Sequence, residues 1–143
     1  MRLSPAHRYL IYSVLLLAWC SGAIFFVLQT WCVAVGEFGP EAHPWQYPVL
    51  RFHGLMAFVA MIGFGFVLGA HGKPASLRKP RPLSGIVFAS WISGSIVSAY
   101  LLYYLGDEGL RQLVGYAHLG FGLAAPLVLA LHVRLARIYR RRQ

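Results

Sequence analysis

Four long segments without a charged side chain dominate this sequence, over residues 9–36, 52–72, 82–106 and 112–133. Each reaches the roughly 20 residues that a helix needs to cross about 30 Å of hydrocarbon. Of the 143 residues, 58 % are hydrophobic and 12 % are charged, a composition that excludes a soluble domain of this size. We therefore expect an all-α membrane protein in which four transmembrane helices account for nearly the whole chain.

The connections between these segments are short. We expect helices over approximately 8–34, 49–71, 83–105 and 110–136, within a single transmembrane domain that spans residues 1–143. Short loops place consecutive helices side by side and antiparallel. The sequence therefore predicts an up-down four-helix bundle in which the second and fourth helices run in the same direction.

Basic side chains are distributed asymmetrically along the chain. One side of the four-span arrangement receives most of them, namely Arg2, Arg8, Lys73, Arg78, Lys79, Arg81, Arg134, Arg137, Arg140, Arg141 and Arg142. The other side receives Arg51 and Arg111 together with all four acidic residues. Since positive loops stay on the cytoplasmic side, this pattern predicts that both termini are cytoplasmic. The formal charge of +9 thus reflects membrane topology rather than binding of nucleic acid.

Histidines lie near the ends of two of the four segments. His53 and His71, in the second segment, are about five helical turns apart. His118 and His132, in the fourth, are about four turns apart, so the members of each pair project from one helix face. Ionisable side chains inside a membrane are rare and normally mark a functional site. The simplest chemistry for these four side chains is ligation of haem iron.

The direction of the helices indicates which histidines can meet. His53, near the outer end of the second helix, can share a site with His118, while His71 and His132 fall toward the cytoplasmic end. The separations along the two helices are about 27 Å and about 21 Å, so the outer pair fits a shared site better than the inner pair. His7, at the inner edge of the first helix, is an alternative ligand to His71.

Small residues and two arginines also bear on haem binding. A flat macrocycle needs space between helices, and the histidine-bearing helices are rich in glycine: Gly54, Gly63, Gly65, Gly69, Gly115, Gly120 and Gly122. The third helix has Ser90, Gly94 and Ser98 at intervals of four residues. Close packing of membrane helices through small residues explains the same pattern. Arg51 and Arg111, the basic residues on the outer side, are candidate partners for haem propionates.

The histidine-bearing helices resemble the haem-binding bundle of membrane cytochromes b, and the size is similar to that of small four-helix, b561-like bacterial cytochromes. The segment 84–142 is especially similar to that group, with YLLYYLGDEGLR followed by His118 and His132. The spacing of those two histidines matches cytochrome b, whereas that of His53 and His71 is four residues longer. The resemblance implies two b haems, one ligated by His53 with His118 and one by His71 with His132.

A function follows from this resemblance. With both axial positions of the iron filled, no site is left for oxygen activation, which implies a carrier of single electrons across a bacterial cytoplasmic membrane. The implied partners are quinone or quinol in the lipid bilayer and a periplasmic or membrane redox protein such as a c-type cytochrome. Such a chain would be an electron-transfer subunit, with quinone oxidoreductase activity as a further option.

Two other hypotheses explain the same residues. A haem-free structural or assembly subunit of a respiratory membrane complex would use the histidines and glycines to pack helices. A small transporter or metal channel would need other polar groups within the membrane, but the four segments contain no carboxylate. Nucleic-acid binding and soluble hydrolase chemistry have no support in the sequence.

Overall fold

Four helices make up most of the computed structural model, which describes residues 4–69 and 83–141. They are α1 (Pro5–Trp31), α2 (Gln46–Val67), α3 (Leu83–Tyr104) and α4 (Glu108–Arg141). All four are long and apolar enough to cross a membrane, which confirms the predicted helical membrane architecture for the described part of the chain. His71 and the basic loop that follows it lie outside the described residues.

Side-chain caps explain where α1 and α4 begin. Ser4 is the N-cap of α1, and its Oγ accepts a hydrogen bond of 3.3 Å from the backbone N–H of His7. Asp107 precedes α4, and its Oδ1 accepts a hydrogen bond of 2.8 Å from a backbone N–H of the first turn. Glu108 follows within that turn, where a negative charge interacts favourably with the helix dipole. The acidic residues of this connection thus help to start α4.

The loop between α1 and α2 contains a short antiparallel β-hairpin that sequence analysis did not predict. Strand β1 (Ala34–Gly36) pairs with strand β2 (Gly39–Glu41). Glu37 and Phe38 form the turn, and Gly39 has a φ of 123°, a conformation that glycine adopts far more readily than other residues. Phe38 is 94 % exposed at the tip. The hairpin follows directly after a helix that is long and apolar enough to cross a membrane, so we expect its aromatic tip to lie near the membrane surface.

The chain divides into two compact units, Met1–Lys73 and Pro74–Gln143, and each is built on two antiparallel helices. In the first unit α1 packs against α2. The ring of His7, in the first turns of α1, stacks on that of Phe66 near the end of α2, with centroids 6.4 Å apart. The two helices therefore contact each other along most of their lengths.

Aromatic contacts join α3 to α4 in the second unit. The indole Nε1–H of Trp91 donates a hydrogen bond of 2.9 Å to the carbonyl oxygen of Phe121, and the two rings meet edge to face. Gly94 lies against the same phenyl ring, since a Cβ there would be 2.9 Å from its Cζ. A larger residue at this position would require the phenyl ring or the helices to shift. Helix α4 continues through Pro126 without interruption.

The burial pattern is the reverse of that in a soluble protein. Within residues 4–69 and 83–141, the two buried side chains are polar, Ser21 at 4 % exposure and Ser98 at 6 %. Large apolar side chains such as Leu16, Phe58 and Leu127 are more than half exposed. Apolar surface of this extent is suited to contact with lipid rather than water. The most protected positions in each hairpin are therefore the serines.

Candidate functional site

His53 lies on the side of α2 that faces α1. Its Nδ1 is 2.9 Å from the carbonyl oxygen of Ala18 and 3.2 Å from the Oγ of Ser21. The Ser21 hydroxyl donates to the carbonyl of Leu17 at 2.7 Å. At Gly22 a Cβ would lie 2.9 Å from Cε1 of His53, so a larger residue would displace the imidazole. The ring is thus held against the backbone of α1 by two polar groups and one glycine.

The same arrangement recurs in the second hairpin. Nδ1 of His118, on α4, is 3.0 Å from the Oγ of Ser98 and 3.2 Å from the carbonyl oxygen of Ser95 on α3. The Ser98 hydroxyl donates to that same carbonyl at 2.9 Å. In each hairpin, a buried serine and the carbonyl three residues before it thus contact one imidazole nitrogen.

These contacts determine the tautomer of both histidines. A carbonyl oxygen accepts hydrogen bonds and donates none, so the nitrogen beside it must carry the proton. Nδ1 is therefore the protonated nitrogen of His53 and His118, and the lone pair is on Nε2. Metal-ligating histidines typically donate one ring N–H to a carbonyl or carboxylate, which fixes the ring, and bind the metal through the other nitrogen. Both side chains thus have the tautomer of an Nε2 ligand.

The two serines are the residues that sequence analysis missed. Ser98 was placed among small packing residues, and Ser21 was not singled out. The sequence did contain a signal for Ser98. Ser98 and His118 are at similar distances in sequence from the turn at Asp107, so an antiparallel hairpin places them side by side. No such signal existed for Ser21, since the β-hairpin between α1 and α2 hides the register of those two helices.

Open space lies beside His118 on α4. Gly115 precedes it by three residues and Gly122 follows it by four, so both are one turn away on the same side of the helix. Among the described residues, a Cβ at either glycine would meet nothing within 4 Å. Pro126 has no N–H, which leaves the carbonyl of Gly122 without its usual helical donor. Packing against α3 therefore does not account for these two glycines.

His132 also faces α3. Its ring stacks on that of Phe88, with centroids 5.3 Å apart and planes 11° from parallel. Its Nδ1 is buried, and among the described residues this atom has no hydrogen-bond partner. The Oγ of Ser84, on α3, is likewise buried and has no hydrogen-bond partner among the described residues. The two histidines of α4 therefore contact the same neighbouring helix but differ in how their Nδ1 atoms are satisfied.

His7, the predicted alternative to His71, is an exposed side chain at the start of α1. Its Nδ1 lies 2.6 Å from the hydroxyl of the N-cap serine. The number of residues from His7 to Ser21 equals the number from His118 to His132. At 1.5 Å per residue, His7 and His132 are each about 21 Å along their hairpins from the level of the buried serine.

Arg51 and Arg111, which the sequence predicts to be on the outer side, differ in their placement relative to the histidines. Both side chains are exposed. Arg111 precedes His118 by seven residues, close to two helical turns, and so lies on the same face about 10 Å away. Arg51 precedes His53 by two residues and lies about 200° around α2, on the opposite face. Arg111 is therefore better placed to contact a group bound at its neighbouring histidine.

No protein family, curated protein or solved structure matches this chain. Within residues 4–69 and 83–141, no three or more His, Cys, Asp or Glu side chains lie close enough together to hold a metal ion. A function is therefore inferred from His53, His118 and the groups that hold each of them.

Proposed function

We propose that this chain is a di-haem b-type cytochrome that carries single electrons across the bacterial cytoplasmic membrane. The observation that carries the proposal is the tautomer shared by His53 and His118, whose Nδ1–H groups donate to backbone carbonyls of the neighbouring helices. A histidine that packs between helices through the same hydrogen bond has this tautomer as a result of the contact, whereas a metal ligand requires it. A metal ligand needs its lone pair on the nitrogen that binds the metal. His53 and His118 both have this arrangement.

The proposed outer site takes one histidine from each hairpin, His53 and His118. Ligation of haem iron by two imidazoles supplies reversible one-electron chemistry and leaves no coordination position for oxygen. The open face formed by Gly115 and Gly122 leaves room for the macrocycle. The guanidinium of Arg111, on that face, compensates the negative charge of a propionate.

The proposed inner site takes His132 from α4 and a second histidine from the first unit. His71 was the first expectation, and His7 the alternative. The equal spacings of about four turns support His7, because both inner ligands would then lie about 21 Å from the outer level. A pairing of His132 with His71 would need helix tilt to absorb about 6 Å.

Charge distribution supports the proposed orientation. Arg134, Arg137 and Arg141 follow His132 on α4, and Asp107 and Glu108 lie at the other end of that helix. With both termini cytoplasmic, the outer site would be closer to a periplasmic or membrane redox protein such as a c-type cytochrome. Quinone or quinol dissolved in the bilayer is the proposed partner on the membrane side.

A visible spectrum tests the proposal directly. The full chain, purified in detergent from cells supplied with haem precursor, should give sharp b-type bands in a reduced-minus-oxidised spectrum. A pyridine haemochrome assay should give about two haems per chain, and both His53→Ala and His118→Ala should lose about one of them.

His43→Ala is the matched control for these variants. The Nδ1 of His43 accepts a hydrogen bond of 3.2 Å from the backbone N–H of Trp45 just before α2, so this histidine has a structural role in the loop. The control should keep both haems. A well-folded wild-type protein without haem would rule out the cytochrome and leave the alternative below.

The alternative is a haem-free structural or assembly subunit of a respiratory membrane complex. The observation in its favour is that the Ser21–His53 and Ser98–His118 contacts already join α1 to α2 and α3 to α4. This function predicts a colourless protein in which His53→Ala and His118→Ala lower stability and change no spectrum.

A further inference from the structure

Each hairpin holds its histidine with the same three elements. They are a buried serine, the carbonyl three residues earlier, and an imidazole Nδ1 that contacts both. The two histidines differ in which group is nearer to Nδ1. For His53 the carbonyl is the nearer group, at 2.9 Å against 3.2 Å for the serine, and for His118 the serine is the nearer, at 3.0 Å against 3.2 Å.

We infer that Ser21 and Ser98 are positioning residues that fix the Nδ1–H tautomer and ring orientation of His53 and His118. The importance of this role rests on the proposed function, because the two serines would orient the Nε2 atoms that bind iron. A serine hydroxyl that donates to a backbone carbonyl presents its oxygen as an acceptor to the imidazole N–H. Both hydroxyls are so placed, which excludes the opposite tautomer without any contribution from a ligand.

The first test uses the full chain produced without haem and labelled with ¹⁵N-histidine. Its imidazole nitrogen shifts report directly which nitrogen carries the proton. Wild-type protein should show protonated Nδ1 at His53 and His118. Ser98→Ala should convert His118 to a mixture of tautomers, whereas Ser21→Ala should change His53 less, because the nearer carbonyl is retained.

Ser95→Ala is the matched control on α3. It removes a hydroxyl one turn from Ser98 and leaves intact the backbone carbonyl that contacts His118. Its nitrogen shifts should equal those of the wild type, and Ser98→Thr, which restores a hydroxyl, should recover the wild-type tautomer. Protonated Nε2 at His118 in the wild type, or identical shifts in the wild type and Ser98→Ala, would overturn the inference.

The second test uses the haem-loaded chain. Loss of an acceptor for the ligand's N–H lowers the basicity of the imidazole, so Ser98→Ala should retain haem about tenfold less tightly. The midpoint potential of the remaining outer haem should move to a more positive value, and Ser95→Ala should change neither. Equal retention and equal potential in the two variants would contradict the positioning role. A wild-type chain that takes up no haem would instead refute the proposed function, and the nitrogen shifts would still test the inference.

Discussion

Ser98 and His118 face each other across α3 and α4, with the serine Oγ 3.0 Å from the imidazole Nδ1. Ser98 is one of two buried residues in the described part of the chain, and Ser21, the other, makes the equivalent contact to His53. Polar contacts in such protected surroundings are costly to lose. The most protected positions of both hairpins therefore serve to hold an imidazole.

Gly122→Val tests whether the open face beside His118 accommodates haem. The added side chain projects into space that the proposal gives to the macrocycle, so we expect loss of about one haem per chain in the pyridine haemochrome assay. Gly120→Val is the control, because Gly120 also has open space around its Cβ position but lies about 160° from Gly122 around α4. Equal haem content in the two variants would show that the face has another use.

Arg111→Gln tests the proposed propionate contact. A cation beside the haem disfavours the oxidised iron, which carries the additional positive charge, so removal of that cation should lower the outer midpoint potential. Arg51→Gln should leave it unchanged, because Arg51 lies on the opposite face of its helix from His53. A redox titration of both variants in the same detergent compares their outer midpoint potentials. A larger shift for Arg51→Gln would reverse the assignment.

His7→Ala and His71→Ala together identify the inner ligand. If His7 pairs with His132, its removal should cost about one haem per chain and leave the outer haem spectrum intact. His71→Ala should then retain both. The opposite result would restore the pairing of His71 with His132, and a full haem complement in both variants would exclude an inner site built on either histidine.

Asp107→Ala tests the start of α4. Loss of the Asp107 side chain leaves a backbone N–H of the first turn without its 2.8 Å acceptor, which should lower the free energy of unfolding by about 1 kcal/mol. Glu108→Gln, which removes a charge from the same turn, should cost less, about 0.5 kcal/mol. Unfolding by sodium dodecyl sulfate, followed by circular dichroism, measures both. An unchanged midpoint for Asp107→Ala would show that water replaces the cap.

The helices were predictable because lipid imposes a strong constraint on sequence. An uncharged segment long enough to cross a membrane can satisfy its backbone hydrogen bonds there as a helix, and the four helices of the structure lie where those segments are. The β-hairpin was not predictable from the same constraint. Its strands are three residues long, and a run containing Gly36, Gly39 and Pro40 reads as an irregular loop.

The histidines were also predictable, because an imidazole in an apolar segment is conspicuous. The groups that contact the imidazoles were not predictable, because two of them are the backbone carbonyls of Ala18 and Ser95, which any residue could provide. Helical phase does show that Arg111 lies on the same face as His118 and that Arg51 lies on the opposite face from His53. The relevance of this difference became clear only when the structure showed which way the two histidines face. Pairing between hairpins depends on contacts that sequence spacing does not specify, and it stays a prediction.

If the chain carries electrons as proposed, the spacing of His118 and His132 on α4 has an energetic consequence. Their separation of about four turns corresponds to about 21 Å, roughly two thirds of the hydrocarbon thickness. One charge crossing the full membrane changes energy by about 2.3 kcal/mol per 100 mV, so an electron moving between the two levels changes by about 1.5 kcal/mol. That is roughly a tenfold bias for each 100 mV. In a cell whose interior is negative, electron transfer outward through this chain would be favoured by the membrane voltage, and transfer inward would work against it.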